Sequence, residues 1–367
     1  MSTFEQHLLD IDDAIGPEVE ERNTHLKLKQ KVTEWLIEEM RRADTVFDKL
    51  CVGLSPYAGN NDWNGDFKSN EFEVICVLEF PYAMQIGLDN DRRGFVHLDM
   101  YDVLNKLAND SKSDDVFILL SNLVSLETAY LQRQALQNWI SQVINKALDS
   151  MHNYPYKVAY NRCEYAHILS VFERTTTVRM IAIDFRPVIA FGKVNWMKTY
   201  AKTIKNKYYY SWYALPIESS LPADNHTHEY TFLMINPMAE NELLWSNESL
   251  KVVFRLLCSL RDNYGLHELR DYMITNTLFW LVKKSSGLLN GPTRDIFIDA
   301  LLRLNKFFDD ANMPSFWVVE CNLLDVFTKV DIQLYKKKFQ RIYTQFVSYR
   351  KTKQLPLDRV LEHFFVK

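Results

Sequence analysis

Two glutamates two residues apart, and an aspartate much further along, are the side chains here whose types and spacing could do chemistry. Glu71 and Glu73 lie in Asn70-Glu-Phe-Glu-Val-Ile-Cys-Val-Leu, part of a segment from Glu71 to Pro81 rich in Val, Ile and Phe that reads as a strand. Residues i and i+2 of a strand share a face, with Cα atoms roughly 6.5–7 Å apart. Like charges so placed repel, which raises at least one pKa unless a cation sits between them. A solvated edge strand would also accommodate the pair. Asp184 lies in the apolar run Val178-Arg-Met-Ile-Ala-Ile-Asp-Phe-Arg-Pro-Val-Ile-Ala-Phe, where a carboxylate is costly to bury without a partner. Arg179 or Arg186 could pair with it. Alternatively it converges on Glu71 and Glu73 as a third ligand, because three carboxylates on adjacent strands make a hard-oxygen site suited to Mg²⁺ or Mn²⁺. Upstream, in Val52-Gly-Leu-Ser-Pro-Tyr-Ala-Gly, Gly53 and Ser55 could offer backbone N–H groups and a hydroxyl to phosphate oxygens.

The elements that must position these groups follow from the pattern along the chain. The 367 residues are 47% hydrophobic and 25% charged, a soluble globular composition long enough for two lobes. With Gly at 10 and Pro at 11, long helices are favoured over a loop-rich all-β fold. One long helix is expected over residues 24–50, with Leu28, Val32, Trp35, Leu36, Met40, Val46 and Leu50 on one face and Lys27, Lys29, Lys31, Arg41 and Arg42 on the other. Glycines 53, 59 and 65 mark a loop. Residues 116–125 fit helix or strand, 131–151 a helix, and 156–171 are mixed. Residues 178–191 read as a strand pair, or as one long strand bent at Pro187; 212–217 read as a short strand. Beyond about residue 238 the pattern is helical, over 241–263, 266–284, 293–311 and 332–353. The expected architecture is therefore mixed α/β (α+β) and bilobal, residues 1–215 forming a mixed-sheet lobe with an N-terminal spine helix and residues 216–367 a helical lobe, with a cleft between them as the natural ligand site.

The formal net charge of -4 excludes a globally basic nucleic-acid binder but not a local basic face. Phe185 to Ile217 carries six bases (Arg186, Lys193, Lys198, Lys202, Lys205, Lys207) and no acid. Five widely spaced cysteines without a CxxC argue against a disulfide framework or zinc ribbon. With no leader and no long apolar run visible, a cytoplasmic location is expected.

The order of Gly-Ser loop, carboxylate pair and third carboxylate resembles the nucleotidyltransferase fold. More narrowly, it resembles the family of cyclic GMP–AMP synthase and the insect-type cGAS-like receptors, which share the Mab domain. Gly53 and Ser55, Glu71-Phe72-Glu73 and Asp184 stand in its motif order. Trp212-Tyr-Ala-Leu-Pro, Glu240-Asn-Glu-Leu-Leu, Tyr272 to Trp280, and Pro314-Ser-Phe-Trp to Asn322-Leu-Leu match further segments in sequence. Four positions depart from the family: Glu73 replaces a more usual Asp, Asp271 a frequent Ser, Thr275 a Lys and Thr231 an Arg.

The resemblance implies an enzyme that joins ATP and GTP into a cyclic dinucleotide in innate antiviral signalling. It implies a two-metal Mg²⁺ or Mn²⁺ site on Glu71, Glu73 and Asp184, with Gly53, Ser55, Tyr272 and Lys251 binding nucleotide and Tyr272 stacking on a base. It also implies activation by double-stranded RNA, with Lys27, Lys31, Arg42, Lys198, Lys202, Lys205, Lys207 and Arg255 as candidate contacts, and ligand-induced homodimerisation. The departures keep open a catalytically silent binding or scaffold protein on the same fold.

Overall fold

The computed structural model describes residues 3–16, 19–56, 70–151, 154–163, 166–174, 178–191, 212–218, 229–245, 247–284 and 290–364. In chain order the elements run α1 (Phe4–Ile15), α2 (Val19–Ala43), α3 (Thr45–Leu50), β1 (Cys51–Leu54), β2 (Glu71–Leu78), β3 (Gln85–Leu88) and β4 (Phe95–Asp99). Helices α4 (Tyr101–Leu107), α5 (Asp114–Leu123) and α6 (Arg133–Asp149) follow, then β5 (Tyr156–Arg162), β6 (His167–Glu173), β7 (Arg179–Phe191), β8 (Trp212–Leu215) and β9 (Thr231–Ile235). The remainder is helical: α7 (Pro237–Trp245), α8 (Glu248–Asn263), α9 (Asp271–Lys284), α10 (Thr293–Asp309), a 3₁₀ turn at Leu323–Val326, α11 (Lys329–Lys351) and α12 (Leu357–Leu361).

The strands form one mixed sheet in the order β1-β2-β7-β8-β9-β4-β3, with the β5–β6 hairpin joined to β7. At its centre, β2 runs parallel to β7. Both strands are rich in β-branched and aromatic residues, as strands covered on both faces are. Residues 178–191 are thus one continuous strand, and parity explains how it tolerates Pro187. The Ala182 amide donates to Asn70 on the β2 side, so amides of even-numbered residues point towards β2 and those of odd-numbered residues away. On that far edge β6 pairs only as far as Phe185, and β8 begins at Ile189. Pro187, which has no N–H, falls in the gap.

Helix α2 buries Leu28, Val32, Leu36 and Met40 at four-residue steps, and packs on α6 and β7. The single helix expected over 24–50 is in fact two. Asp44 leaves the helical conformation and its carboxylate accepts from the Val46 and Phe47 amides, starting α3. Lys29, expected on the charged face, is buried; burial lowers its pKa.

The described residues divide into two compact units, one drawn from 19–61 and 68–238, the other from 1–18 and 239–367. The sequence boundary at 215 falls inside the sheet, because β9 pairs with both β8 and β4. Helix α1 joins the C-terminal helices, burying Leu8 and Ile11 and packing on α8, α10 and α12. An aromatic cluster of Phe4, Phe297, Phe346 and Phe364 fills that unit's core.

Candidate active site

The parallel register sets the carboxylates. Glu73 lies opposite Asp184 and Glu71 opposite Ala182, so Glu71, Glu73 and Asp184 share one face of adjacent strands about 4.8 Å apart. Further along that face Ile75, Val77 and Val188 form an apolar cluster with Tyr213 and Leu215. Burial of such side chains, about 1.5–3 kcal/mol each, anchors the strand pair just beyond the acids. A slip of one residue would turn the carboxylates to the other face.

Two arginines answer the charge. Arg179 Nη2 donates to Glu71 Oε1 at 3.0 Å. Arg186, two residues beyond Asp184 on the same face, places Nε and Nη2 at 3.0 and 2.6 Å from Asp184 Oδ2. Its Nη1 lies 3.4 Å from Glu73 Oε2. Both pairing partners named from sequence are used, one for each end of the acid row. Asp184 Oδ1 is enclosed and has no hydrogen-bond donor, the kind of orphaned oxygen a bound cation or a substrate hydroxyl would satisfy.

Among the described residues no group of three or more His, Cys, Asp or Glu side chains is gathered tightly enough to hold a metal ion as placed. The donor types nonetheless suit a hard divalent cation, with three carboxylates on one face and one enclosed oxygen lacking a donor, while the Arg186 guanidinium beside two of the carboxylates competes with such a cation.

Gly53 has φ 136°, a left-handed conformation suited to glycine, beside a bulge between β1 and β2. The Ser55 amide is occupied by Ile75 O at 2.8 Å and its side chain is buried. In this arrangement the Ser55 amide belongs to the sheet. Nearby, the Cys51 and Cys76 sulfurs are 3.7 Å apart. The hydrogen bond with Cys76, helped by Arg41, brings the Cys51 thiol down to about 7; that same bond and burial push Cys76 up.

In the helical unit Tyr272 opens α9 with 40% of its surface exposed. Its hydroxyl hydrogen-bonds with Ser315. Burial, then the nearby Glu240 charge, hold its proton well above the usual phenol range. Asn276 and Trp280 fix the segment carrying Ser315: Nδ2 and Nε1 donate to Pro314 O at 3.1 and 2.9 Å, and Asn276 Oδ1 accepts from the Phe316 amide at 2.7 Å. Trp317 Nε1 in turn donates to Glu240 Oε1 at 2.6 Å. Asp271 is ion-paired with Arg261. Lys251 is buried and 2.8 Å from Glu248.

Thr231, set by the resemblance at an expected Arg position, accepts a hydrogen bond from Arg133 of α6 at 3.2 Å, and Arg133 also pairs with Glu218 at 3.0 Å. A guanidinium thus reaches this position from another element. Arg133 was not singled out in sequence, and nothing in its local pattern marked it.

The nucleic-acid candidates fare unevenly. Lys27, Lys31 and Arg42 are exposed on α2, but Arg42 is ion-paired with Glu38 and Glu39. Arg255 is clamped on Asp12 at 2.7 and 2.6 Å, tying α8 to α1; this structural role accounts for its charge and removes it from the set of open basic contacts. Lys198, Lys202, Lys205 and Lys207 lie outside the described residues.

Comparison with known proteins bears on the whole length. A model of the Mab-21 protein nucleotidyltransferase domain matches residues 67–216, and one of the Mab-21 protein HhH/H2TH-like domain matches residues 240–341. A cyclic GMP-AMP synthase-like receptor of Drosophila eugracilis is 22% identical over 358 residues, covering 95% of this chain and 92% of that protein. Cyclic GMP-AMP synthase-like receptor 1 of Drosophila melanogaster is 24% identical over 305 residues, covering 79% and 77%. A cyclic GMP-AMP synthase-like receptor of Ctenocephalides felis is 20% identical over 350 residues, covering 88% and 79%.

Proposed function

The chain belongs to the Mab-21 nucleotidyltransferase family, and from that premise we propose that it joins ATP and GTP into a cyclic dinucleotide in innate antiviral signalling, gated by double-stranded RNA. The observation that carries the reading is the register that sets Glu73 beside Asp184 and leaves Asp184 Oδ1 without a donor. Glu71, Glu73 and Asp184 would hold Mg²⁺ or Mn²⁺, which lowers the pKa of the attacking hydroxyl and offsets charge on the leaving pyrophosphate. Asp184 Oδ1 accepts the proton of a ribose hydroxyl. The ribose oxygen so freed bonds to the α-phosphorus of the second nucleotide as the bond from that phosphorus to pyrophosphate breaks. The Tyr272 ring stacks on a base, and its anchored hydroxyl keeps the side chain from swinging away. A second round on the linear product closes the ring. Among the described residues no helix is long and apolar enough to cross a membrane, and we place the enzyme in the cytoplasm. Duplex RNA would be held by its phosphates and 2′-hydroxyls, with Lys27 and Lys31 as exposed candidate contacts on α2. Activation through a ligand-induced homodimer is part of the same proposal.

The test is incubation with the four ribonucleoside triphosphates, Mg²⁺ and Mn²⁺, and double-stranded RNA, double-stranded DNA or neither, with phosphatase-treated products read by mass spectrometry. A phosphatase-resistant dinucleotide made only with RNA is expected. Asp184→Asn should reduce its formation at least about 100-fold while leaving the melting temperature within a few degrees. A second reading, a silent binding protein, is favoured by the two guanidiniums already paired with the acids. No product under any condition would select it.

A further inference from the structure

Arg186 occupies a place that nothing in the nucleotidyl-transfer reading requires. It sits two residues from Asp184 on the face the acids share, and the residue opposite it on β2 is the buried, apolar Ile75. With Ile75 at its level on β2, the guanidinium reaches back along the strands to lie 2.6 Å from Asp184 and 3.4 Å from Glu73. It binds only Oδ2 of Asp184, which leaves Oδ1 enclosed and without a donor. The side chain is 26% exposed, so solvent is open to it if it lets go. We infer that Arg186 is a tethered counter-cation, a positioning residue that holds Glu73 and Asp184 together before metal arrives and that a divalent cation must displace. The inference rests on the proposed function, since it presumes that these acids take up metal.

Charge decides between displacement and coexistence. The three carboxylates and the two arginines paired with them carry one net negative charge. A divalent cation entering with Arg186 in place would leave one net positive charge in a partly enclosed site. With Arg186 withdrawn to solvent, the remaining groups and the cation are neutral. Withdrawal therefore accompanies metal binding, and the ion pairs given up set the metal affinity below what the bare carboxylates would have. Without metal, the same pairs keep adjacent in-register carboxylates from driving the strands apart.

The experiment uses the full chain without nucleotide. Free Mn²⁺ is titrated by electron paramagnetic resonance at fixed ionic strength for wild type, Arg186→Met, Arg186→Lys and Asp184→Asn, and melting temperatures are taken with and without Mn²⁺. Arg186→Met is expected to bind Mn²⁺ at least tenfold more tightly than wild type. It should melt lower without metal, and gain more from added Mn²⁺. Arg186→Lys keeps a charge but not the two-nitrogen grip, so it should fall between the two; it carries the test if the Met variant does not fold. Equal or weaker Mn²⁺ binding by the Arg186 variants, with binding still abolished in Asp184→Asn, would overturn this inference alone. Mn²⁺ binding unaffected by Asp184→Asn would move the metal elsewhere and overturn the nucleotidyl-transfer reading with it.

Discussion

At the scale of single residues, side-chain type was legible and partner was not. Glu71, Glu73 and Asp184 stood out because carboxylates in apolar strands need a reason to be there. Which arginine answers which acid depends on register and on which way each side chain leans, and sequence left Arg179 and Arg186 as equal candidates for Asp184. The structure gives Arg186 to Asp184 and Glu73, and Arg179 to Glu71. The Lys29 side chain, buried on α2, shows the same limit: a lysine next to the apolar stripe looks like its solvated neighbours until the packing partner is known. Tyr272 yields a prediction at this scale. The residue is 40% exposed while its hydroxyl is held at Ser315, and the stacking proposal assigns the binding to its ring. Tyr272→Ala should raise KM for nucleotide roughly 5- to 150-fold, from about 1–3 kcal/mol of base stacking. Tyr272→Phe, which loses only the hydroxyl anchor, should stay within about fivefold. Steady-state kinetics with RNA saturating separates the two; equal losses would assign the hydroxyl, not the ring, to binding.

At the scale of elements, long periodic segments were readable and short ones were not. The helix over 133–149 follows its period closely, and the strand from Glu71 to Leu78 is marked by its apolar, β-branched run. Strands β3 and β4 were not seen, because Gln85-Ile-Gly-Leu carries too little pattern and its pairing with Phe95–Asp99 is set by the turn between them. There Asp89 accepts from the Asp91 and Arg92 amides and binds the buried Arg92 guanidinium at 2.9 Å. The break between α2 and α3 did leave a mark: an Asp followed by Thr is a helix-start pattern, overridden by an apolar period that runs on through Val46 and Leu50. Asp44 caps two amides and also accepts from Trp139 Nε1 at 3.4 Å. Asp44→Ala should therefore cost about 0.5–2 kcal/mol in urea unfolding while leaving Mn²⁺ affinity unchanged. Asp44→Asn, which keeps a cap acceptor, should recover most of the loss; a variant as stable as wild type would show that the break is imposed by packing alone.

At the scale of the whole molecule, the pH dependence of stability follows from histidines the fold keeps neutral. His167 on β6 is fully buried, with Tyr160 Oη 2.8 Å from Nδ1 and Gln137 Oε1 2.7 Å from Nε2. Burial, with the nearby Arg162 charge, brings its pKa down to about 3. His97 is lowered by burial too, with Arg92 working against Asp89, and His363 of the helical unit is lowered by burial as well. The sign is the same for all three. Below about pH 6.5 the unfolded chain takes up protons at these positions before the folded chain does, so stability falls as pH falls. For His167 alone that amounts to at most about 1.4 kcal/mol per pH unit below 6.5, levelling off near its folded pKa. The His167→Gln variant, whose amide can still reach Tyr160 or Gln137, is expected to be less stable at pH 8. Between pH 6.5 and 5 its stability should fall less steeply than wild type, by up to one proton's worth. Urea midpoints across that range measure the slope. Parallel slopes would mean that His167 is protonated in the folded state, and that the Ser141–Tyr160–His167–Gln137 chain behind β7 carries a charge rather than excluding one.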